Sequence, residues 1–273
     1  MRWLISTDGT PRSQQAAKFA ASLIQPEHDE VVLLGVINRT SKNELMMALD
    51  DLEAGLGGTV KKRVLEEGSM LKVMEKVAET EAYDTAVYAS RGRRGLTKIL
   101  LGSVAARLAQ ELPCSVLIIR KVPLALKKVL VATTLSPDHS APIFEGTRMA
   151  ALTGADVTLL HVMSQIPLAD EEHADQLRLT AQQARDEGTR EGRGFDHMLA
   201  IAEAEGVKVN PKIRYGLVED EIIAEVIEGD YDLLVMGAHR ATSQGPGLAE
   251  LLIEDVTNVV LMSTRCPVLI VRK

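Results

Sequence analysis

The sequence predicts an α/β protein in which two doubly wound parallel sheets follow one another along the chain. Three observations predict this class. Short runs rich in β-branched residues alternate with stretches whose apolar residues recur every three or four positions. The short runs are continuously apolar, which is typical of parallel strands covered on both faces. The whole alternation also occurs twice, and ligands of such sheets bind beyond the carboxyl ends of the strands.

An internal repeat indicates the domain organisation. CSVLIIRK at residues 114–121 returns as CPVLIVRK at residues 266–273, and three further pairs of segments repeat in the same order. The repeat boundary lies near Pro123, so the sequence predicts domains at 1–123 and 124–273. Both lengths are ordinary for single domains.

Each half is predicted to contain strands separated by helices. In the first half the strands are predicted at 3–6, 31–37, 60–65, 85–88 and 115–119. In the second half they are predicted at 129–132, 157–163, 207–213, 233–236 and 268–271. Helical spacing of apolar residues lies between them, as at 13–24 and 70–79. A further helix is predicted at 103–112, capped by Ser103 and ended by Pro113.

The second half carries an extra segment at 170–205 that is rich in charged residues and helix formers. This segment accounts for most of the length by which the second half exceeds the first. A pair of solvated amphipathic helices is the favoured interpretation, and a partner-docking arm is the alternative.

Composition limits the class of protein. The chain has 273 residues, 46% of them hydrophobic, and a net charge of −7, so it is long enough to bury a sizeable core. No apolar run reaches the roughly 18 residues of a membrane span, and the first residues lack the pattern of a signal peptide. Two cysteines far apart in the sequence do not make a disulfide framework. We expect a cytoplasmic protein that binds neither a membrane nor nucleic acid.

The loop after the fourth strand concentrates glycine and positive charge. Gly92 is followed after nine residues by Gly102 and Ser103, where a helix is predicted to begin. Glycines let backbone N–H groups point toward one place, and a helix N-terminus adds free donors with partial positive charge. This combination is typical of a phosphate site, and Arg91 and Arg93 would add charge-assisted contacts. A solvated basic loop is the alternative for this loop taken alone.

These residues resemble the universal stress protein family, in a tandem two-domain form. The family's nucleotide-binding members carry G-x2-G-x9-G-S/T between the fourth strand and the last helix, and an Asp after the first strand. The matching residues in this sequence are Ala89, Gly92, Gly102 and Ser103, with Asp8 as the acid. Ala89 replaces the family's first Gly and fits there if its φ stays negative. The resemblance implies two Rossmann-like, adenine nucleotide α-hydrolase-like domains related by a pseudo-twofold axis.

The resemblance also implies a ligand, ATP with or without Mg²⁺, and roles for individual residues. Asp8, next to Thr7, would hydrogen-bond the adenosine part, and Val36 would offer backbone groups to the adenine edge. The phosphates would be held by Gly92, Gly102, Ser103 and the amide of Val104. On the residues alone, Asp8 can equally be the turn residue of Asp8-Gly9.

The second half lacks most of these features. Thr134 stands at the position of Asp8, Arg240 at that of Gly92, and Glu254-Asp255 at that of Gly102-Ser103. We expect these two carboxylates to lie at a helix N-terminus and to repel a phosphate. Residues 1–123 hold 17 Lys and Arg against 15 Asp and Glu, a balance of +2, and the remainder holds 14 against 23, a balance of −9. The sequence therefore predicts one working nucleotide site, in the first half, and a degenerate second half.

Motifs of catalysis are missing from the sequence. It contains no Walker loop, no G-x-G-x-x-G fingerprint, no H-E-x-x-H and no G-x-S-x-G elbow. We therefore expect an ATP-binding stress or signalling protein that acts through nucleotide-dependent conformation and a protein partner that the sequence does not identify. A scaffold of the same fold without nucleotide is one alternative. A slow nucleotide hydrolase is another, although STDGTPRS lacks the SGGxDS-type loop of related enzymes.

The resemblance implies one more feature, the pairing of terminal strands. Single-domain relatives dimerise through such strands, so strands 115–119 and 268–271 of this chain are expected to pair with each other. The result would be an intramolecular pseudo-dimer. Whether whole chains then also form a homodimer is left open by the sequence.

Overall fold

The computed structural model describes residues 1–38, 40–90, 102–164, 178–238 and 248–272. The chain divides into two compact units. The first is formed by Met1–Leu124 together with Arg265–Lys273, and the second by Ala125–Thr264. Both units have the predicted α/β architecture with mainly parallel strands.

The first unit is a sheet flanked by helices. Its strands are β1 (Arg2–Thr7), β2 (Glu30–Ile37), β3 (Val60–Glu67), β4 (Thr85–Ala89), β5 (Ser115–Ile119) and β10 (Val268–Val271). Its helices are α1 (Pro11–Ala21), α2 (Lys42–Leu56), α3 (Met70–Thr80) and α4 (Gly102–Glu111). The strand order is β3-β2-β1-β4-β5-β10. All neighbours are parallel except β5 and β10, which are antiparallel.

The second unit repeats this plan and has an inserted segment between β7 and β8. Its strands are β6 (Lys128–Ala132), β7 (Asp156–Met163), β8 (Val209–Tyr215) and β9 (Leu233–Gly237). Its helices are α5 (Ala141–Thr153), α6 (Ala181–Asp186), α7 (Arg190–Ala204), α8 (Val218–Gly229) and α9 (Leu248–Ser263). The strand order is β9-β6-β7-β8, parallel throughout.

The central strands are buried on both faces, as their continuous apolar sequence predicts. Trp3, Leu4 and Ile5 follow one another in β1 and are each 0% exposed. Because successive side chains of a strand point to opposite faces, consecutive burial means that helices cover both sides of the sheet. The polar loops begin at the carboxyl ends of these buried strands.

The carboxy-terminal strand joins the sheet of the first unit. In β10, Val268, Leu269 and Ile270 pair antiparallel with Ile118, Leu117 and Val116 of β5. Both strands have the bounds that the sequence predicts, and their expected pairing is observed. The first sheet is thus completed by a strand that the repeat assigns to the second half of the sequence.

Strand β8 begins two residues later than the sequence predicts. The N–H of Val207 donates a hydrogen bond to the carbonyl of Ala202 (3.0 Å), within the turn that ends α7. Gly206, at φ +71°, provides the left-handed residue of that turn. Val207 is therefore used to end the helix and does not join the strand.

The inserted segment is less solvated than the sequence predicts. Its first part, residues 165–177, lies outside the described residues. Of the rest, α6 is short, and α7 buries Phe195 and Met198 completely and Ala202 to 1% exposure. The apolar face of α7 is thus part of the core of the second unit. Each helix in the described ranges is too short or too polar to serve as a membrane span.

Candidate functional site

The strand order reverses between β1 and β4, the position at which an open sheet has a crevice. The chain proceeds from β1 outward through β2 and β3 on one side, and from β4 to β5 on the other. The two strands are parallel neighbours, with Ile5 opposite Val87. In open sheets of this kind, ligands bind at the carboxyl ends of the strands where the order reverses. The segments that follow Thr7 and Ala89 are therefore the first place to look for a site.

The carboxylate of Asp8 is held by the first turn of α1. Its Oδ1 accepts hydrogen bonds from the Oγ1 of Thr10 (2.6 Å), the Oγ of Ser13 (2.7 Å) and the N–H of Thr10 (3.2 Å). Gly9, at φ +77°, makes the turn that the Asp8-Gly9 sequence predicts. Asp8 therefore has the predicted role of a turn residue, and it is half-buried and follows β1 where the strand order reverses.

Thr7 and Val36 offer only backbone groups to a ligand. The side chain of Thr7 is 0% exposed, and its hydroxyl is bonded to the Oγ of Ser13 (2.8 Å) and the N–H of Gly9 (3.1 Å). Val36 is also fully buried. The ladder between β1 and β2 ends with Thr7 opposite Gly35, so Val36 extends beyond it at the carboxyl edge of the sheet.

The two ends of the glycine-rich loop are described, and its middle is not. Ala89 is the last residue of β4 and pairs with Ile119 of β5. A strand residue has negative φ, so the condition under which Ala89 can replace glycine is met. Helix α4 begins at Gly102, with Ser103 and Val104 as its next residues. The predicted ligands Arg91, Gly92 and Arg93 lie outside the described residues.

The second unit has the same turn with different chemistry. The N–H of Leu135 donates to the Oγ1 of Thr133 (3.1 Å), just as the N–H of Gly9 donates to that of Thr7. In place of the carboxylate, Thr134 Oγ1 pairs with Nδ1 of His139 at 3.1 Å. The second crevice therefore has no carboxylate at the position of Asp8.

One expectation about the second unit is wrong. Helix α9 begins at Leu248, so Glu254 and Asp255 lie in its second turn and not at its N-terminus. The physical reason is that the sequence from Leu248 onward, LAELLIE, consists of good helix formers without Gly or Pro. Neither residue therefore lies at the helix N-terminus, where the sequence predicts both of them. The remaining sequence differences are Thr134 for Asp8 and Arg240 for Gly92, and Arg240 lies outside the described residues.

A dense charge cluster in the second unit has a structural role. Arg214 of β8 bonds three carboxylates of α8, those of Glu221 (2.6 Å), Glu225 (2.7 Å) and Glu228 (2.8 Å). The side chain of Glu225 is only 3% exposed and is also bonded by Lys212 (2.6 Å). Opposite charges are thus paired within the cluster, which fastens α8 to β8.

Metal-ligating groups, His161 and Cys114 are the other candidates among the described residues. No group of three or more His, Cys, Asp or Glu in the described ranges has the arrangement of a metal site. Nδ1 of His161 lies 2.9 Å from the carbonyl of Thr133, and the ring meets that of Phe195 edge to face at 6.5 Å. Burial raises the pKa of the Cys114 thiol to about 11, so this thiol stays protonated and unreactive at neutral pH.

Sequence reasoning missed Thr10 and Ser13 as members of the site. Both hydroxyls contact the carboxylate of Asp8. The available signal was the helix-start pattern Thr-Pro-x-Ser after Asp8-Gly9, which predicts capping but does not indicate that a functional side chain is being held.

Comparisons with known proteins agree with this architecture. The sequence model described as the universal stress protein family matches residues 41–120 and 125–272. The universal stress protein MJ0531 of Methanocaldococcus jannaschii is 26% identical over 156 residues, which is 57% of this chain and 88% of that protein.

Two solved structures cover nearly the whole chain. One is a universal stress protein from Archaeoglobus fulgidus, with a TM-score of 0.64 and 20% identity over 99% of this chain and 98% of that one. The other is a putative universal stress protein from Pseudomonas aeruginosa, with a TM-score of 0.67 and 18% identity over 99% and 92%. At these identities the likeness concerns the fold.

Proposed function

Because this chain belongs to the universal stress protein family, with two family domains in tandem, we propose that it binds one ATP in the crevice of its first unit. The supporting observation is that β1 and β4 are parallel neighbours at the point where the strand order reverses. Asp8 follows one of these strands and the glycine-rich segment follows the other. Helix α4 connects β4 to the parallel strand β5, so its N-terminus belongs to the same edge of the sheet.

The proposed contacts follow from this arrangement. Asp8 accepts a hydrogen bond from the adenosine part, and the backbones of Thr7 and Val36 line the adenine side. Backbone N–H groups at the start of α4 favour a bound phosphate because they are free donors at the positive end of the helix dipole. The phosphate contacts are proposed for Ala89, Arg91, Gly92, Arg93, Gly102, Ser103 and the amide of Val104.

The proposed activity is ATP binding in the cytoplasm without rapid ATP turnover. The bound nucleotide would change the conformation of the protein, and a protein partner would recognise that change. Mg²⁺ would accompany the phosphates as their counter-ion. The described residues supply Asp8 as an acceptor and α4 as a donor site, and no nucleophile with a paired base is found at the crevice in these ranges.

A calorimetric titration with ATP tests the proposal. We expect one site per chain. Gly102→Glu should abolish binding because it adds a carboxylate where phosphate would bind. Asp8→Ala should weaken binding by about 1.5 to 3 kcal/mol, the value of a hydrogen bond to a charged group. The matched variant Thr134→Ala changes the equivalent position of the second unit and should leave the affinity unchanged.

Two results would contradict the proposal. One is unchanged affinity in both Asp8→Ala and Gly102→Glu, and the other is a stoichiometry of two equivalent sites. Phosphate release should be followed in the same samples. Steady release at about 1 per second or faster, an ordinary enzymatic rate, would show an enzyme and not a binding protein.

A further inference from the structure

Ser13 is a buried polar side chain that serves Asp8. It lies in the first turn of α1 and is 4% exposed. Five polar atoms surround its Oγ: Oδ1 of Asp8 (2.7 Å), the N–H of Asp8 (3.3 Å), Oγ1 of Thr7 (2.8 Å), and the carbonyl and Oγ1 of Thr10 (3.0 and 3.2 Å). Since the helix cap is provided by Thr10, Ser13 is not needed for that purpose.

The direction of these hydrogen bonds can be worked out from the number of hydrogens. Ser13 has one hydroxyl hydrogen, and its shortest acceptor is the carboxylate of Asp8, which makes the stronger, charge-assisted bond. Thr7 Oγ1 accepts from the N–H of Gly9 (3.1 Å), and its own hydrogen then goes to Ser13 Oγ. The result is a chain from Thr7 to Ser13 to Asp8, in which each bond strengthens the next.

A second hydroxyl fixes the same carboxylate oxygen. Thr10 donates its Oγ1 hydrogen to Oδ1 of Asp8 at 2.6 Å, and its N–H adds a third contact at 3.2 Å. Three donors from one helical turn hold the carboxylate in one orientation. An oriented side chain loses less conformational freedom when a ligand binds, which favours affinity.

The second unit lacks this arrangement while keeping the turn. Thr133 still accepts from Leu135 N–H (3.1 Å), as Thr7 does from Gly9. Asp8 and Ser13 are replaced together, by Thr134 and His139, which pair with each other at 3.1 Å. The hydroxyl chain is therefore present only where the carboxylate is present.

We propose that Ser13, supported by Thr7 and assisted by Thr10, is a positioning residue that presents the Asp8 carboxylate to the adenosine part of the nucleotide. This inference rests on the proposed function of the same crevice. It assigns to Ser13 an effect on nucleotide affinity that is transmitted only through Asp8.

A double-mutant cycle tests the proposal. ATP binding is followed by NMR titration, which measures dissociation constants into the millimolar range, in wild type, Ser13→Ala, Asp8→Ala and the double variant. We expect Ser13→Ala to weaken ATP binding about 3- to 10-fold in the wild-type background and to have no effect in the Asp8→Ala background. An equal loss in both backgrounds would mean that Ser13 acts by stabilising the fold, and would overturn the proposal.

Further variants separate the possible outcomes. Ser22→Ala removes a hydroxyl that bonds the carbonyl of Phe19 (2.7 Å) at the other end of α1, and it should keep wild-type affinity. If Ser13→Ala does not fold, as judged by circular dichroism, Ser13→Cys replaces it in the same cycle with the same expectation, because a thiol keeps the size of the side chain but is a weak donor. Failure of the wild type to bind ATP would overturn the proposed function itself. Normal wild-type binding with an unchanged Ser13→Ala would overturn only the positioning role.

Discussion

At the scale of single residues, His161 shows how burial changes the chemistry of a side chain. Desolvation lowers its pKa, while the hydrogen bond with the Thr133 carbonyl and the charge of Glu191 oppose this shift, and Arg190 adds to it. The folded protein therefore binds a proton at His161 less readily than the unfolded chain does. At neutral pH the ring is uncharged, with Nδ1–H donating to the carbonyl.

This lowered pKa predicts a pH dependence of stability. The unfolded chain takes up a proton near the ordinary histidine pKa of about 6.5, and the folded chain does so only at lower pH. The free energy of unfolding should therefore fall as the pH drops from about 7.5 to about 5.5. His161→Gln keeps a donor for the Thr133 carbonyl and should lose less stability over this range. Urea denaturation at both pH values measures the difference.

An exposed histidine of α7 provides a matched substitution. His197→Gln makes the same change at an exposed position, so comparing the two variants separates the loss of the His161 imidazole from the effect of the substitution itself. If His161→Gln kept the pH profile of the wild type, the partly buried imidazole would not be the cause of the pH dependence.

The predictability of the site differs from residue to residue. Asp8 and Ala89 could each be placed at a strand end because the alternation of strands and helices locates those ends. The structure adds that the two strands are neighbours. Ser13 could not be assigned, because a hydroxyl that orients a carboxylate leaves no periodic signal in the sequence. The directions of individual hydrogen bonds depend on backbone turns that only coordinates provide.

At the scale of elements, α7 packs closely against the turn after β6. The first unit has a glycine in the equivalent turn, whereas in the second unit the glycine is in the helix. Gly9 and Leu135 hold equivalent left-handed positions, at φ +77° and +60°. In the first unit Gly9 faces the backbone of Leu45 in α2. In the second unit Leu135 places a side chain in this turn, and a non-glycine residue in the left-handed region costs about 1 to 2 kcal/mol. The close approach is made possible by Gly194 of α7, which faces Leu135.

This contact predicts a strongly unfavourable substitution. In Gly194→Ala the new Cβ would meet Leu135 Cβ at 2.7 Å and its carbonyl oxygen at 2.9 Å. Both are fixed atoms, so α7 must shift, and the free energy of unfolding should fall by about 1 to 3 kcal/mol. Chemical denaturation measures this value.

A second helical glycine serves as the matched control. Gly55 in α2 has no atom within 4 Å of its virtual Cβ. Gly55→Ala should raise the free energy of unfolding by about 0.5 to 1 kcal/mol, because alanine restricts the unfolded chain and favours the helix. Equal effects of the two substitutions would contradict the packing argument.

Sequence patterns predicted the elements better than their ends. Strands β5 and β10 have the predicted bounds, since the apolar run of β5 ends before Arg120 and that of β10 lies between Pro267 and Arg272. The start of α9 was predicted wrongly because the repeat was taken to fix the helix start at Glu254. Local helix propensity from Leu248 onward decided the outcome.

At the scale of the whole molecule, β10 brings residues from the end of the chain into the folded unit formed by its first residues. It belongs to the first compact unit although it follows the second unit in sequence. Every residue of β5 is buried, and one side of this strand is covered by β10. The stability of the first unit therefore depends on the last strand of the chain.

Removing residues 265–273 should expose the edge of β5. An uncovered apolar edge strand is a template for pairing with another chain, so the shortened protein should associate or aggregate. Size-exclusion chromatography with light scattering would measure this against a chain lacking only Lys273, which keeps all of β10. The expectation would be contradicted if the shortened protein were monodisperse and had the same association state and melting temperature as the chain lacking only Lys273.

The position of β10 also has a consequence for biosynthesis. A ribosome that has released β5 must still translate about 150 residues before β10 emerges, which takes roughly 8 to 30 s at 5 to 20 residues per second. During that interval the amino-terminal unit waits with an open edge while the following unit is being made. Nascent chains on neighbouring ribosomes of one messenger would each expose the same edge, so this protein should be a frequent client of chaperones that bind growing polypeptides.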